Sequence, residues 1–330
     1  MKLSRRVLLG AVTFGALAVR SPALSAAHEK PQAGQTTLNF RVPPNACDCH
    51  VHVFCDPDKF PLSQERPYTP PPAPVAALSD MLDELDMQRV VIVSPAIYGA
   101  RNDCTLEAIR QLGSRARGIA LLAPPTSSAE CERLRRGGIR GLRLNFETFG
   151  VTDPLAAIER YQWASQLAAE QRWHIQINTR LPIVEALEES ILDGKVQVVF
   201  DHFAHAQSSR GVGQPGFAAL VRLLQSGRAY VKISAPYQIS SKPPDYQDVV
   251  PLARALIAAN AKRILWGSDW PHPDAAQKPG RRATDLRPPL PVDDTDLLNQ
   301  FATWAPDPLV RHAILVENPA RLYDFTPRPT

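Results

Sequence analysis

The chain has 330 residues, 44% hydrophobic and 21% charged, which supplies apolar material for one large buried core and excludes a disordered or fibrous chain. Its formal net charge of +4 matches the four cations Lys2, Arg5, Arg6 and Arg20 of the first 27 residues, which hold no acid. The remainder is formally neutral and has no basic stripe with interleaved aromatics, which argues against nucleic-acid and membrane-surface partners.

In chain order, Ser4-Arg5-Arg6 precedes an apolar run to Val19 and the small residues Ser25-Ala26-Ala27. This is the pattern of a cleaved export signal over 1–27, and the paired arginines point to the twin-arginine route and a periplasmic or secreted protein. The alternative, a membrane anchor, needs roughly 20 apolar residues and this run is shorter, so no anchor is expected after cleavage. Residues 28–45 form a polar, proline-containing lead. From 46 to 326 short apolar runs alternate with amphipathic stretches of helical length. Strands are expected at 46–53, 89–94, 118–122, 141–146, 174–178, 196–201, 229–234 and 263–268. Helices are expected near 75–87, 103–114, 128–136, 154–171, 182–192, 215–226 and 247–259, with two more after 293. Near-continuous apolar strands alternating with helices predict a single-domain α/β fold, the parallel (β/α)8 TIM barrel. The proline-rich stretch Pro271 to Pro291 after the last strand is a candidate lid.

Asp48, His50 and His52 occupy alternate positions of the first strand, which strict alternation places on one face, with Cys47 and Cys49 facing the outer helices as small hydrophobes. A pair of core histidines is the plainer alternative. Five cysteines are an odd number and do not make a disulfide framework; Cys55, near the strand's mouth, is left as a candidate reactive thiol. Active sites of such barrels lie at the C-terminal strand ends. Those ends offer His50 and His52, Ser94, Arg143 and Asn145, Asn178, Asp201 with His202 and His205, Ser234, and Ser268 with Asp269, followed by His272. His174 opens its strand, roughly 13 Å below the mouth, and is read as structural.

A first-strand His-x-His, a histidine after strand six and an aspartate after strand eight resemble the amidohydrolase superfamily, in particular its branch of pyrone-dicarboxylate lactonases and sugar-acid lactone enzymes. The resemblance is carried by Ala46-Cys-Asp-Cys-His-Val-His52, Tyr68-Thr-Pro70, Gly138-Ile-Arg-Gly-Leu-Arg-Leu-Asn145, Asp201-His202, Val231-Lys-Ile-Ser234, Trp266-Gly-Ser-Asp-Trp-Pro-His-Pro273 and Asn318-Pro-Ala-Arg-Leu-Tyr323. It implies Asp269 as general base, with His50, His52 and His202 stabilising an oxyanion. Arg143 would clamp a substrate carboxylate, the alternative being a salt-bridge layer inside the barrel. Asn145, Ser94, Tyr68 and His205 would complete the substrate site, and Asp48 would orient the imidazoles. Phe149, His205 and Gln238 stand where the dicarboxylate lactonases carry arginines, which favours a monoanionic lactone unless Arg281 and Arg282 bring charge from the lid.

The resemblance further implies catalysis without a cofactor. The alternative is one zinc ion on His50, His52, His202 and Asp269, although strand five carries Gln176 and Asn178 where zinc-dependent relatives add a histidine, and strand four lacks a bridging lysine. The expected function is hydrolysis of the ester bond in a carboxylate-bearing lactone, sugar-acid or pyrone-type. A lactone isomerase, a zinc-dependent amidohydrolase or decarboxylase, and a non-catalytic sugar-acid binder are the competing readings. The expected partner is a small-molecule lactone or carboxylate; the sequence does not set the oligomeric state.

Overall fold

The computed structural model describes residues 36–276 and 280–325; the expected export signal and residues 28–35 of the lead lie outside the described residues, as does 277–279 of the proline-rich loop. Eight strands, Cys47–Val51 (β1), Arg89–Val93 (β2), Ala116–Leu121 (β3), Ile139–Asn145 (β4), His174–Asn178 (β5), Val198–Phe200 (β6), Ala229–Ser234 (β7) and Ile264–Gly267 (β8), form one parallel sheet in sequence order. Just past β8 the chain meets β1. The Asp269 N–H donates to the His50 carbonyl at 2.9 Å and the His52 N–H to the Trp270 carbonyl at 2.7 Å, so the seam of the barrel is also the floor of the histidine cluster.

The helices that cover the sheet are Val75–Glu84 (α1), Asp103–Leu112 (α2), Ser128–Arg136 (α3), Pro154–Gln171 (α4), Leu181–Asp193 (α5), Phe217–Gln225 (α6), Val250–Asn260 (α7) and Asp294–Trp304 (α8), followed by Pro308–His312 (α9) and Asn318–Leu322 (α10). Their starts are set locally. Ser127 accepts from the Glu130 N–H, Asp153 from those of Leu155 and Ala156, and Asp293 from that of Asp296, each satisfying donors that a first helical turn leaves unpaired. The main core lies between strands and helices, where Val90, Ile92 and Leu142 pack with Leu78, Leu82 and Leu134. This is the expected (β/α)8 barrel.

A second cluster fills the lower barrel: Cys47, Cys49, Val91, Ile119, Val199, Tyr230 and Leu265, closed from below by Tyr323 and Phe325. Cys47 and Cys49 thus face inward, against the expectation of an outward orientation. The cause is a bulge: Cys47 and Asp48 stand opposite Arg89 and Val90, but Val51 stands opposite Ile92, so β1 spends one residue more than β2. The extra residue puts both Cys49 and His50 to inner use. Asp48 is likewise displaced from its expected role. Its Oδ1 accepts the backbone N–H groups of His50 and Ser268, at 3.0 and 3.1 Å, and so fixes the bulge rather than either imidazole ring. Cys55, offered as a reactive thiol, is bonded to Cys104 in a disulfide, which ties the loop after β1 to the start of α2. His174 is structural as expected, its ring edge-on to Tyr323 at 5.3 Å.

Candidate active site

The site is assembled at the C-terminal ends of β1, β6, β7 and β8. His50 lies within the bulge of β1 and His52 just past the strand's end. After β6 four consecutive residues, His202 to His205, take φ values of 49°, 56°, 51° and 50°. Such left-handed backbone costs roughly 1–2 kcal/mol per residue. With about three residues to the turn, it turns both His202 and His205 toward the cavity, their rings 5.9 Å apart. Asp269 has φ 67°, so it leaves the strand direction at once and its carboxylate bends over the barrel mouth.

Three imidazoles converge on one oxygen of that carboxylate. Asp269 Oδ1 lies 3.5 Å from His52 Nε2, 3.6 Å from His50 Nε2 and 3.8 Å from His202 Nε2, and has no hydrogen bond. The other oxygen is saturated: Oδ2 accepts from the Tyr237 hydroxyl at 2.8 Å and from Gln238 Nε2 at 3.0 Å. Tyr237 in turn meets His272 Nδ1 at 3.3 Å, and His272 Nε2 meets Asp294 at 3.1 Å. Burial acts to raise the Asp269 carboxyl, but the imidazoles of His202, His52 and His50 outweigh it and hold it well below the usual carboxylate range. Burial holds His50 and His202 below the ordinary imidazole value, and His205 is brought down to about 4 by burial and by His202.

Each imidazole is oriented from behind. His52 Nδ1 donates to the Val93 carbonyl at 2.7 Å, so a neutral His52 presents a lone pair at Nε2. His202 Nδ1 meets Ser234 Oγ at 2.9 Å, and His50 Nδ1 lies 3.2 Å from both Lys232 Nζ and Asp201 Oδ1. Beneath the imidazoles is a buried ionic layer. Asp201 Oδ2 accepts from Arg143 Nε and Nη2 at 3.3 and 3.2 Å and from Gln176 Nε2 at 3.1 Å, while Lys232 Nζ lies 3.4 Å from Asp201 Oδ1 and donates to Gln176 Oε1 at 2.7 Å. The carboxyl of Asp201 is raised by burial and lowered more strongly by Lys232, His50 and Arg143, so it stays ionised.

The cavity above has a volume of about 490 Å3. It brings together His52, Tyr68, Arg143, Asn145, His202, His205 and Asp269, with Asn178, Tyr237 and Gln238. Asn178 bridges two of these, accepting at 2.8 Å from His205 Nε2 and donating to Asn145 Oδ1 at 2.9 Å. Ser94 does not belong: fully buried, its hydroxyl donates to Asn102 at 2.7 Å and meets Thr105 at 2.8 Å, a contact that anchors α2. Arg143 lines the cavity and also carries the salt-bridge layer inside the barrel. Arg281 and Arg282 of the proline-rich loop bring no free charge, since Arg281 pairs with Asp274 at 2.6 Å and Arg282 with Asp285 at 3.0 Å. Tyr237 and Lys232 were missed by sequence reasoning. A lysine inside the apolar run Tyr230-Val-Lys-Ile233 was a usable signal; Tyr237, three residues past a strand end, gave none.

A parallel eightfold barrel carrying His-x-His on its first strand and an aspartate after its last defines an enzyme of the amidohydrolase class. The chain belongs to the amidohydrolase family, which it matches over residues 47–325. It is 33% identical over 296 residues to 4-sulfomuconolactone hydrolase of Rhizobium radiobacter, covering 89% of this chain and 94% of that one. It is 32% identical over 300 residues to the 2-pyrone-4,6-dicarboxylate hydrolase of Comamonas testosteroni, covering 88% and 94%. A solved structure from Pseudomonas putida, provisionally assigned as a 2-pyrone-4,6-dicarboxylic acid hydrolase, superposes with a TM-score of 0.71 at 28% identity, covering 87% of this chain and all of that one.

Proposed function

We propose that the protein hydrolyses the ester bond of a carboxylate-bearing lactone, with Asp269 as general base. The observation that carries this reading is the asymmetry of the Asp269 carboxylate: one oxygen is held by two donors, the other is bare and ringed by three imidazole nitrogens. Oδ1 takes a proton from water as the water oxygen bonds to the lactone carbonyl carbon, and the carbonyl electrons move onto oxygen. The oxyanion then collapses, the ring C–O bond breaks, and the proton held by Asp269 passes to the departing ring oxygen. Two of the three imidazoles suit the oxyanion in their neutral form. In the tautomers in which His50 Nδ1 accepts from the Lys232 ammonium and His202 Nδ1 accepts from the Ser234 hydroxyl, each Nε2 carries an N–H, whereas His52, committed to the Val93 carbonyl, offers an acceptor that steadies the water. The relatives support the substrate class, since both 4-sulfomuconolactone and 2-pyrone-4,6-dicarboxylate are lactones with anionic groups. Because Arg143 already shares its charge with Asp201, one substrate carboxylate is the expected load. NMR of the products of a lactone panel tests the reaction: an open hydroxy acid is expected, and a shifted ring would make the protein an isomerase.

Three of these groups suit a single divalent ion: the ligand atoms of His50, His202 and Asp269 lie within 4.8 Å of one another, and Asp269 Oδ1 and His50 Nε2 are buried without partners. His52, the fourth ligand expected from the sequence, stands outside that set although its Nε2 is 3.5 Å from Oδ1. His50, His202 and Asp269 would hold such an ion, which would supply Lewis-acid polarisation of the carbonyl. The imidazole N–H donors supply the corresponding stabilisation without it. Chelated and dialysed enzyme is therefore expected to keep its turnover; loss restored by zinc would reassign the oxyanion role.

We also propose export by the twin-arginine route with cleavage near Ala27. The Cys55–Cys104 disulfide supports an oxidising compartment. Mass spectrometry of the periplasmic fraction tests this, and a cytoplasmic protein with an intact N-terminus would overturn it.

A further inference from the structure

A second cavity of about 560 Å3 opens beside the catalytic one, between the loops that follow β1, β2, β3 and β4 and the middle of α4. Ala96, Arg143 and Asn145 belong to the walls of both. The two differ in chemistry. The catalytic cavity is walled by imidazoles, amides and carboxylates, whereas the second is walled by Leu121, Leu122, Leu144, Phe146, Phe149 and Trp163. Besides the buried Arg143, its charged groups, Glu65, Glu159 and Arg160, are exposed and stand at the mouth. Phe149 leaves 46% of its surface in water, an apolar cost that an occupant would relieve. Asp201 holds the Arg143 guanidinium on the shared wall through Nε and Nη2, so a substrate that reaches past Asp269 meets first this fixed cation and then the apolar walls.

From these shared walls we infer that the second cavity is a substrate chamber for an apolar substituent, and that the preferred substrates are lactones carrying an alkyl or phenyl side chain. This rests on the lactone-hydrolase reading. The test is a homologous series of carboxylate-bearing γ-lactones whose second substituent runs from none (unsubstituted) through methyl to heptyl, with a phenyl member, assayed on the full chain. Burial of each methylene predicts kcat/KM rising about fourfold per carbon, mainly through KM, until the chamber is filled. A flat or falling series overturns the inference. Ala123→Trp and Phe149→Asp, both at exposed positions on the chamber wall, are expected to lower the heptyl-to-unsubstituted ratio of kcat/KM at least tenfold; an unchanged ratio also overturns it. Calorimetric binding of the same series to Asp269→Asn separates the two claims. If no lactone is turned over but Kd still falls with chain length, the chamber stands and the hydrolase reading fails; a Kd indifferent to chain length removes the chamber whatever the turnover.

Discussion

The chemistry of this protein rests on how a few side chains are held rather than on which are present. Tyr237 shows this: its hydroxyl donates to Asp269 Oδ2 and leaves Oδ1 as the carboxylate oxygen that faces the three imidazole Nε2 atoms. Removing one such donor to a charged group is worth about 1.5–3 kcal/mol, so Tyr237→Phe is expected to lower kcat roughly tenfold to a hundredfold with little change in KM. Steady-state kinetics on any accepted lactone check this, and an unchanged kcat would free Asp269 from that support. Lys232 acts one layer lower, where both it and Asp201 are wholly buried. Breaking a buried ion pair by removing one partner costs about 3–5 kcal/mol. Lys232→Met is therefore expected to lower unfolding free energy by that amount in urea, and a loss below about 1 kcal/mol would show that Arg143 alone neutralises Asp201. At this scale the sequence announced Asp269, His50, His52 and His202 through spacing, because strand ends are predictable and point to one place. It misled at Ser94, since a hydroxyl at a strand end is equally well spent on the loop above it, here on Asn102 and Thr105.

Among the elements, β1 departs most from expectation. Perfect alternation would have put Cys47 and Cys49 on the outside, and one inserted residue reversed them while leaving His50 and His52 inward. A bulge depends on the partner strand's register, which no pattern within β1 reveals. Helices were easier to read. α4 starts at Pro154 behind the Asp153 cap and runs to Gln171, as its periodicity and capping residue indicate. β6 is shorter than its apolar run, because the chain turns left-handed directly after Asp201 to present His202 and His205. The Cys55–Cys104 bond joins elements 49 residues apart. Closing a loop of that length limits the unfolded chain and is worth about 2–4 kcal/mol. Cys104→Ala is expected to cost that much stability under non-reducing conditions, with the thermal midpoint of wild type falling to match on reduction. Equal midpoints with and without reductant would contradict it.

For the whole molecule, the alternation of eight apolar runs with amphipathic helices was sufficient to read the barrel, because a parallel sheet must be covered on its outer face and filled on its inner one. The second cavity was not legible, since its walls come from four separate loops and a helix. The fold also sets a pH dependence. Burial depresses His174 to about 3 and His205 to about 4, against about 6.5 in an unfolded chain. The unfolded state therefore binds more protons between these values, and stability present above about pH 6.5 is lost as pH falls toward 3. Asp48, raised by burial to about 7, works in the opposite direction over about pH 7 to 4. The depressed His50 and His202 add to the histidine side, so the urea midpoint is expected to fall from pH 7.5 to pH 4.5; a rising midpoint would put Asp48 in control. The central claim, that Asp269 is the proton acceptor, is tested most directly by Asp269→Asn, since asparagine tolerates the left-handed backbone at that position. With folding verified by an unchanged thermal transition, kcat on a confirmed lactone substrate is expected to fall about 10²–10⁴-fold; turnover at the wild-type rate would contradict the account.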